Sequence, residues 1–198
     1  MTTKVSKIDA AEAIARVNGA LSPESLHALA DILVGRKYRK GERVLDAGAV
    51  CRSMLFIERG MTRQFYFKNN KDLTEHIGYE SSMIICLESY FNEVPTRLMV
   101  EVLEPSLIWE IPKADMEALA VRYWDIERMY RRIFELSLLE SQFKADILRF
   151  EPVQERYAKL AQKHPEITRR APSQYIASLL QMTPETLSRV RATLLRRT

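Results

Sequence analysis

The sequence predicts an α+β protein, with helices at both ends, an antiparallel β unit between them, and a two-helix turn near the C-terminus. Three observations lead there. From Ser173 to Leu194 two short helical patterns meet across a tight turn. From Lys37 to Ile111, short segments rich in Val, Ile, Phe and Tyr are separated by Gly41, Gly48, Gly60, Asn69-Asn70 and Gly78, the punctuation of an antiparallel roll or barrel. Between these regions Asp125 to Phe150 reads as one long amphipathic helix.

In chain order, a helix is expected from about Ile8 to Val17, ending at Asn18-Gly19. A second starts at Ser22-Pro23-Glu24 and runs to about Val34, with serine as cap and proline at the first helical position, where its missing N–H costs nothing. Met54–Gly60 and Met61–Phe67 then read as strands. After Pro112 comes a short helix, KADMEALAVRY, and then the long one. There Met129, Ile133, Leu136, Glu140, Phe143, Ile147 and Phe150 recur at alternating spacings of four and three, a heptad seam interrupted by Glu140. Such a seam suits a partner helix and a homodimer, while Tyr130, Phe134 and Leu138 form a second apolar stripe for the β unit. The alternative is a helix buried on two sides within one chain. Glu151-Pro152 marks a junction, because residues before proline avoid the helical region.

The C-terminal stretch carries the functional signal. Ser173 is placed to cap its first helix, with Ile176, Ala177 and Leu180 on one face; Thr183 caps the second, followed by Pro184 and Glu185. Leu187, Val190 and Leu194 then face inward at helical spacing, leaving Glu185, Ser188, Arg189 and Arg191 outward. This is the pattern of a helix-turn-helix, with a small residue at the close packing point and a polar second helix. The turn position commonly held by glycine is Gln181, which predicts a non-glycine residue in a left-handed or nearby conformation.

Charge points the same way. Of the 198 residues, Glu151–Thr198 carry nine Lys or Arg against four Asp or Glu, whereas Met1–Phe150 carry 21 against 22. The positive excess lies where phosphate neutralisation would need it. No apolar run reaches membrane-spanning length and the N-terminus lacks a signal-peptide core, so the expected location is the cytoplasm, away from membranes. Cys51 and Cys86 lack zinc or iron–sulfur spacing, and His27, His76 and His164 form no metal-spaced pair. With no Gly-rich phosphate loop, G-x-S-x-G or H-E-x-x-H present, no enzyme is expected.

Two stretches, in this order and joined by the long helix, resemble the cyclic-AMP receptor and fumarate-nitrate regulator (Crp-Fnr) family over almost the whole chain. They are KGERVLDAGAVCRSMLFIERG, Lys40 to Gly60, similar to the family's early β-roll, and TPETLSRVR, Thr183 to Arg191, similar to its recognition helix. The resemblance implies N-terminal helices and a cyclic-nucleotide-binding-like β-roll over residues 1–112, a connector and dimerisation helix over 113–150, and a (winged) helix-turn-helix over 151–198. Any wing hairpin is then expected before the helix-turn-helix, around Pro165 to Pro172. The implied function is transcription regulation by a homodimer on double-stranded, pseudo-palindromic DNA, with RNA polymerase as a further partner. The family's E-x-x-S-R pattern falls on Glu185, Ser188 and Arg189, and the chemistry agrees: arginine donates a bidentate pair to guanine, glutamate accepts from cytosine or adenine, and serine allows close approach. Arg169, Arg170, Ser173, Thr183, Thr186 and Arg191 are the candidates for phosphate, Arg191 being equally a solvated charge.

For an effector, the family's nucleotide binders carry Gly-Glu for the ribose and Arg followed by a small residue for the phosphate. Near Ile85-Cys86 this chain has neither Gly nor Glu, and Thr96-Arg97-Leu98 matches only the arginine. The remaining pocket candidates are Cys86, Thr96 and Arg97, without the usual contacts for cyclic AMP; Arg97 reads equally as a strand-edge arginine. No cofactor is expected, since no cysteine precedes Cys51 as in the family's iron–sulfur oxygen sensors and nothing signals haem. The competing reading is a ligand-binding or protein-interaction module of the same fold that does not bind an operator.

Overall fold

Capping chemistry starts the first two elements of the computed structural model, which describes residues 6–195. The Ser6 hydroxyl accepts from the Asp9 amide at 3.2 Å while the Asp9 carboxylate accepts from the Ser6 amide at 2.9 Å, a capping box that opens α1 (Lys7–Asn18). Ser22 caps α2 (Pro23–Ile32), with Pro23 in its first turn.

The β unit consists of two four-stranded antiparallel sheets. One has the order β1 (Val34–Tyr38), β8 (Ser106–Pro112), β3 (Ser53–Arg59), β6 (Met83–Ile84); the other β2 (Arg43–Leu45), β7 (Met99–Val102), β4 (Thr62–Lys68), β5 (Lys71–Gly78). A short helix, α3 (Leu87–Asn92), interrupts the second half. Asn69 and Asn70, both at positive φ (51° and 58°), turn the chain between β4 and β5, the conformation a two-residue hairpin demands and asparagine tolerates. Gly60 joins β3 to β4 at φ 106°, and a Cβ there would clash with Ser106 of β8, so the crossing between sheets requires glycine.

Helices follow: α4 (Lys113–Arg122), α5 (Trp124–Phe150), α6 (Val153–Lys163), α7 (Pro165–Arg170), α8 (Ser173–Leu179) and α9 (Pro184–Leu195). The wing hairpin expected around Pro165–Pro172 is absent, and α7 occupies that stretch. Pro165 sits at the helix's first position, Ile167 is buried, and Arg169 and Arg170 lie in the last turn, where the dipole favours cations, so the proline opens a helix rather than a strand pair. Among the described residues no helix is long and apolar enough to cross a membrane.

Two clusters of buried side chains hold the molecule together. The larger joins the roll to the N-terminal helices and the first half of α5, through Ile14, Leu29, Met54, Phe56, Tyr90, Ile108, Met129 and Ile133. The other joins roll residues Met61, Ile77 and Leu103 to Leu160, Ile167, Ile176, Leu180 and Leu187 of the C-terminal helices. The heptad residues of α5 are therefore spent mostly inside their own chain. Met129 and Ile133 are 1% and 2% exposed in the first cluster, Ile147 is buried, Leu136 is half-buried, and Glu140 and Phe143 meet α6 and His164. Heptad spacing reports a long straight seam but not whose surface it faces, so the expectation of a partner-facing seam is corrected here. Leu138, expected with Tyr130 and Phe134 against the β unit, lies instead on an outward stripe with Leu139, the two 60% and 54% exposed, and Phe150 stands at its end.

Candidate nucleic-acid interface and interior cavity

Residues on both sides of the turn hold α8 against α9. Ile176, Ala177, Leu180, Leu187 and Val190 are all buried. The Met182 amide donates to the Ala177 carbonyl at 2.9 Å, and Gln181 takes φ 53°, the left-handed conformation its place in the turn predicts. Thr183 accepts from the Thr186 amide at 3.2 Å and so caps α9. Ser173, by contrast, is not a cap: Pro172 stands at that position, and the Ser173 hydroxyl, inside the helix, accepts from Arg191 Nη1 at 2.7 Å.

Glu185, Ser188 and Arg189 share the exposed face of α9. The Glu185 carboxyl is held below its usual range by its own backbone amide, then by the Thr183 hydroxyl, so the N-terminus of α9 keeps it ionised as an acceptor. Among the described residues the Arg189 guanidinium makes one long contact, 3.4 Å, to Thr186 Oγ1, and the residue is exposed.

The phosphate candidates divide. Thr183 and Thr186 stand at the start of α9. Arg169 is exposed and pairs with Glu166 one turn earlier. Arg191 is tied inward, to Tyr157 Oη at 3.2 Å and to Ser173. Arg170 is engaged most fully: it bridges to Glu80 at 2.6 and 2.9 Å, to Glu104, and to Glu166 at 3.4 Å, and two of these carboxylates belong to the roll. Burial alone would raise Glu80, but hydrogen bonds from Arg170 and the Gly60 amide outweigh it and hold its carboxyl down to about 2. A phosphate on Arg170 would have to displace those carboxylates. Other bonds dock the same surface. The Thr74 amide donates to Ser178 Oγ at 2.8 Å, and the Tyr175 ring lies 3.6 Å from the Arg63 guanidinium, itself buried and paired with Asp72 and Glu101.

Where roll, α5 and C-terminal helices converge, a cavity of about 630 Å3 opens. The expected effector residues Cys86, Thr96 and Arg97 line it together, alongside His76, Tyr79, Lys144 and His164, to which the sequence gave no role, and Glu140, which it placed in the dimerisation seam. Burial pushes His76 down to about 4, so it is neutral. For Glu140 burial opposes ionisation, yet hydrogen bonds from His164 and Lys163 hold its carboxyl down to about 2. Ionised Glu140 lies 2.9 Å from His164 Nε2 and accepts its hydrogen bond, and the Tyr79 hydroxyl lies 3.1 Å from Nδ1 on the other side of the ring. The relay thus links β5's end, α5 and the end of α6. Arg97 stacks on Tyr66, with no carboxylate paired to it among the described residues. Nothing in the spacing of His76, Tyr79, Glu140 and His164 announces the group, because three separate elements bring it together. Among the described residues no cluster of three or more His, Cys, Asp or Glu side chains could hold a metal ion.

No family model matches the sequence, and no curated protein matches it either. Solved structures do. FixK2 from Bradyrhizobium japonicum superposes at a TM-score of 0.70 and 16% identity, over 84% of this chain and 86% of its own. A Crp/Fnr-family transcriptional regulator from Eubacterium rectale matches at 0.66 and 14%, over 89% and 85%. The fold is that of the Crp/Fnr regulators. The Xanthomonas campestris regulator CLP, described as responsive to c-di-GMP, has the same architecture at 0.67 and 17%, over 89% of this chain and 93% of its own. At these identities the likeness concerns the fold, and the chemistry of the Crp/Fnr fold in this chain rests on its own side chains.

Proposed function

We propose that this protein is a sequence-specific DNA-binding transcription regulator that acts as a homodimer and is biased by a small molecule in the interior cavity. One observation carries the reading: Glu185, Ser188 and Arg189 are exposed on one face of α9 while Leu187 and Val190 anchor its other face. A helix so mounted presents an acceptor, a small hydroxyl and a bidentate donor to the major groove, the combination that distinguishes base pairs there. Thr183, Thr186 and Arg169 lie close enough in sequence to meet flanking phosphates. Two-fold pairing through the outward stripe of α5, Leu138 and Leu139, would double this reader on a pseudo-palindrome with half-sites about one helical turn apart.

The cavity has the size of a small-molecule site, and its apolar side chains stand beside polar and charged ones such as Thr96, Arg97 and Lys144. Because its lining includes Leu179 and Leu180 of the C-terminal unit as well as α3 and β5, a ligand there bears on how that unit sits. Selection of bound sequences from a random duplex pool tests the central part. Enrichment of a site with two-fold related halves is expected; no enrichment at low salt rejects operator binding and leaves the ligand-binding or protein-interaction module.

A further inference from the structure

The helix-turn-helix is fastened at its turn by packing and at its open end by one side chain. Ile176, Leu180, Leu187 and Val190 are buried where α8 and α9 meet. From that turn α8 reaches back to Ser173 and α9 forward to Arg191, about two helical turns each way, or roughly 10 Å. Arg191 ties those two ends together. Its Nη1 donates to Ser173 Oγ at 2.7 Å, in the first turn of α8, and its Nε donates to Tyr157 Oη at 3.2 Å, on α6. The guanidinium carbon lies 5.2 Å from the centre of the Tyr157 ring. The residue before Tyr157 grips the other helix: Arg156 Nη1 donates to the Leu180 carbonyl at the C-terminal end of α8, at 3.2 Å, while its Nε donates to the Glu151 carbonyl at 3.1 Å. α6 is thus a platform that holds α8 by its end and α9 through Arg191. Arg191 is half-buried, one turn after buried Leu187 and two residues after exposed Arg189, at the border between the packed and exposed faces of α9.

We propose that Arg191 is a positioning residue for base readout: it fixes the angle between α8 and α9, and with it the reach of Glu185, Ser188 and Arg189 into the groove. This role rests on the reading of α9 as the base-reading helix. The physical reason is leverage. Packing at the turn resists sliding of one helix on the other, whereas a bond across the open end resists opening of the angle. Arg189 lies about 7 Å along α9 from the turn, so a tilt of roughly 10° shifts its backbone by about 1 Å. That shift is enough to lose a base-edge hydrogen bond, whose donor and acceptor stand about 2.7–3.2 Å apart. Arginine suits the task because two donors of one planar group set two directions at once, which a lysine ammonium on a flexible stem does not reproduce. The same two bonds turn the guanidinium towards α6 and α8, away from the role of a phosphate ligand.

Arg191→Ala, Arg191→Lys and Tyr157→Phe are made in the full chain and their melting curves measured. Each is then titrated, at several salt concentrations, against the duplex selected from a random pool and against single-mismatch duplexes. A single mismatch ordinarily weakens binding by about 5- to 150-fold, and in all three variants that penalty is expected to shrink by about threefold or more. The slope of log affinity against log salt is expected to stay that of the wild type. Arg191→Lys keeps the charge and Tyr157→Phe keeps the ring, so a shared loss of discrimination assigns the effect to the hydrogen bonds. A slope flattened by about 0.9 in Arg191→Ala, with both slope and affinity retained in Arg191→Lys, overturns the proposal in favour of a phosphate contact. Unchanged mismatch penalties in folded variants overturn it as well. If Arg191→Ala fails to fold, Tyr157→Phe, which loses a single hydroxyl, carries the test. A wild-type protein that binds every duplex alike refutes the base-reading helix, and the positioning role with it, before any variant is compared.

Discussion

Replacing Arg170 with alanine separates a structural bridge from a phosphate contact. In the folded chain its guanidinium neutralises Glu80, Glu104 and Glu166 together; without it three carboxylates face one another. The Glu80 carboxyl stands at about 2 against an ordinary 4.5, a difference that converts to a ceiling of about 3 kcal/mol. Glu80 is 37% exposed, so solvent screening reduces the expected loss to about 1–2 kcal/mol. In a chain of this size that is a drop of about 2–8 °C in thermal midpoint. The pH dependence gives a sharper signature. A depressed carboxyl pKa stabilises the fold fully above about pH 4.5, and that contribution disappears as pH falls towards 2. Wild type and Arg170→Ala should therefore differ at pH 7, and the gap should shrink below about pH 4.5 and close as pH falls through about 2. Glu140, also held at about 2, titrates in both proteins and cancels from the difference. Urea or thermal unfolding from pH 7 to about pH 2 measures both curves. Equal stability at pH 7, or a gap that persists unchanged into acid, would refute the bridge; a loss of DNA affinity without loss of stability would restore Arg170 as a phosphate ligand.

Other substitutions have distinct expected outcomes. Gln181→Gly removes the cost of a left-handed non-glycine residue and should raise stability by about 0.5–1 kcal/mol, read as a higher thermal midpoint. Ile133→Asp buries a charge in the core of its own chain and should cost at least about 3 kcal/mol, so unfolding is detected before any change of assembly. Leu138→Asp, on the exposed stripe, should leave the melting curve of the fold nearly unchanged and shift sedimentation towards monomer; a wild-type protein that is already monomeric contradicts the pairing surface.

Local chemistry was the legible part of this chain. Ser22-Pro23, Asn69-Asn70, Gly60 and Thr183-Pro184 each admit few backbone conformations, and the structure adopts those conformations. Gln181 was readable for the same reason, since the turn geometry leaves that position little choice. The buried Leu187 and Val190 of α9 and its exposed Glu185, Ser188 and Arg189 followed from helical period, whereas Arg191, expected outward, is tied to Tyr157 and Ser173. What could not be read was which surface an apolar seam meets. Met129 and Ile133 have the spacing of a dimer seam, yet they are buried in the cluster that joins α5 to the N-terminal helices and the roll. Long-range pairings were equally silent: Arg170 with Glu80 and Glu104, and His164 with Tyr79 and Glu140, join residues whose separation in sequence carries no periodicity. Pro165 misled for a local reason, because a proline between polar residues ends one helix and starts the next with equal ease.

The central claim is that α9 reads bases, and Arg189 tests it most directly. Arg189 is exposed and supports no packing, so Arg189→Ala should fold like the wild type. Titration of both proteins against the selected duplex and against duplexes changed one base pair at a time gives the answer. The account predicts a loss of about 1–3 kcal/mol on the selected site and relaxed preference at one base pair in each half-site, with discrimination elsewhere retained. An Arg189→Ala protein that keeps the wild-type preference at every position would contradict it.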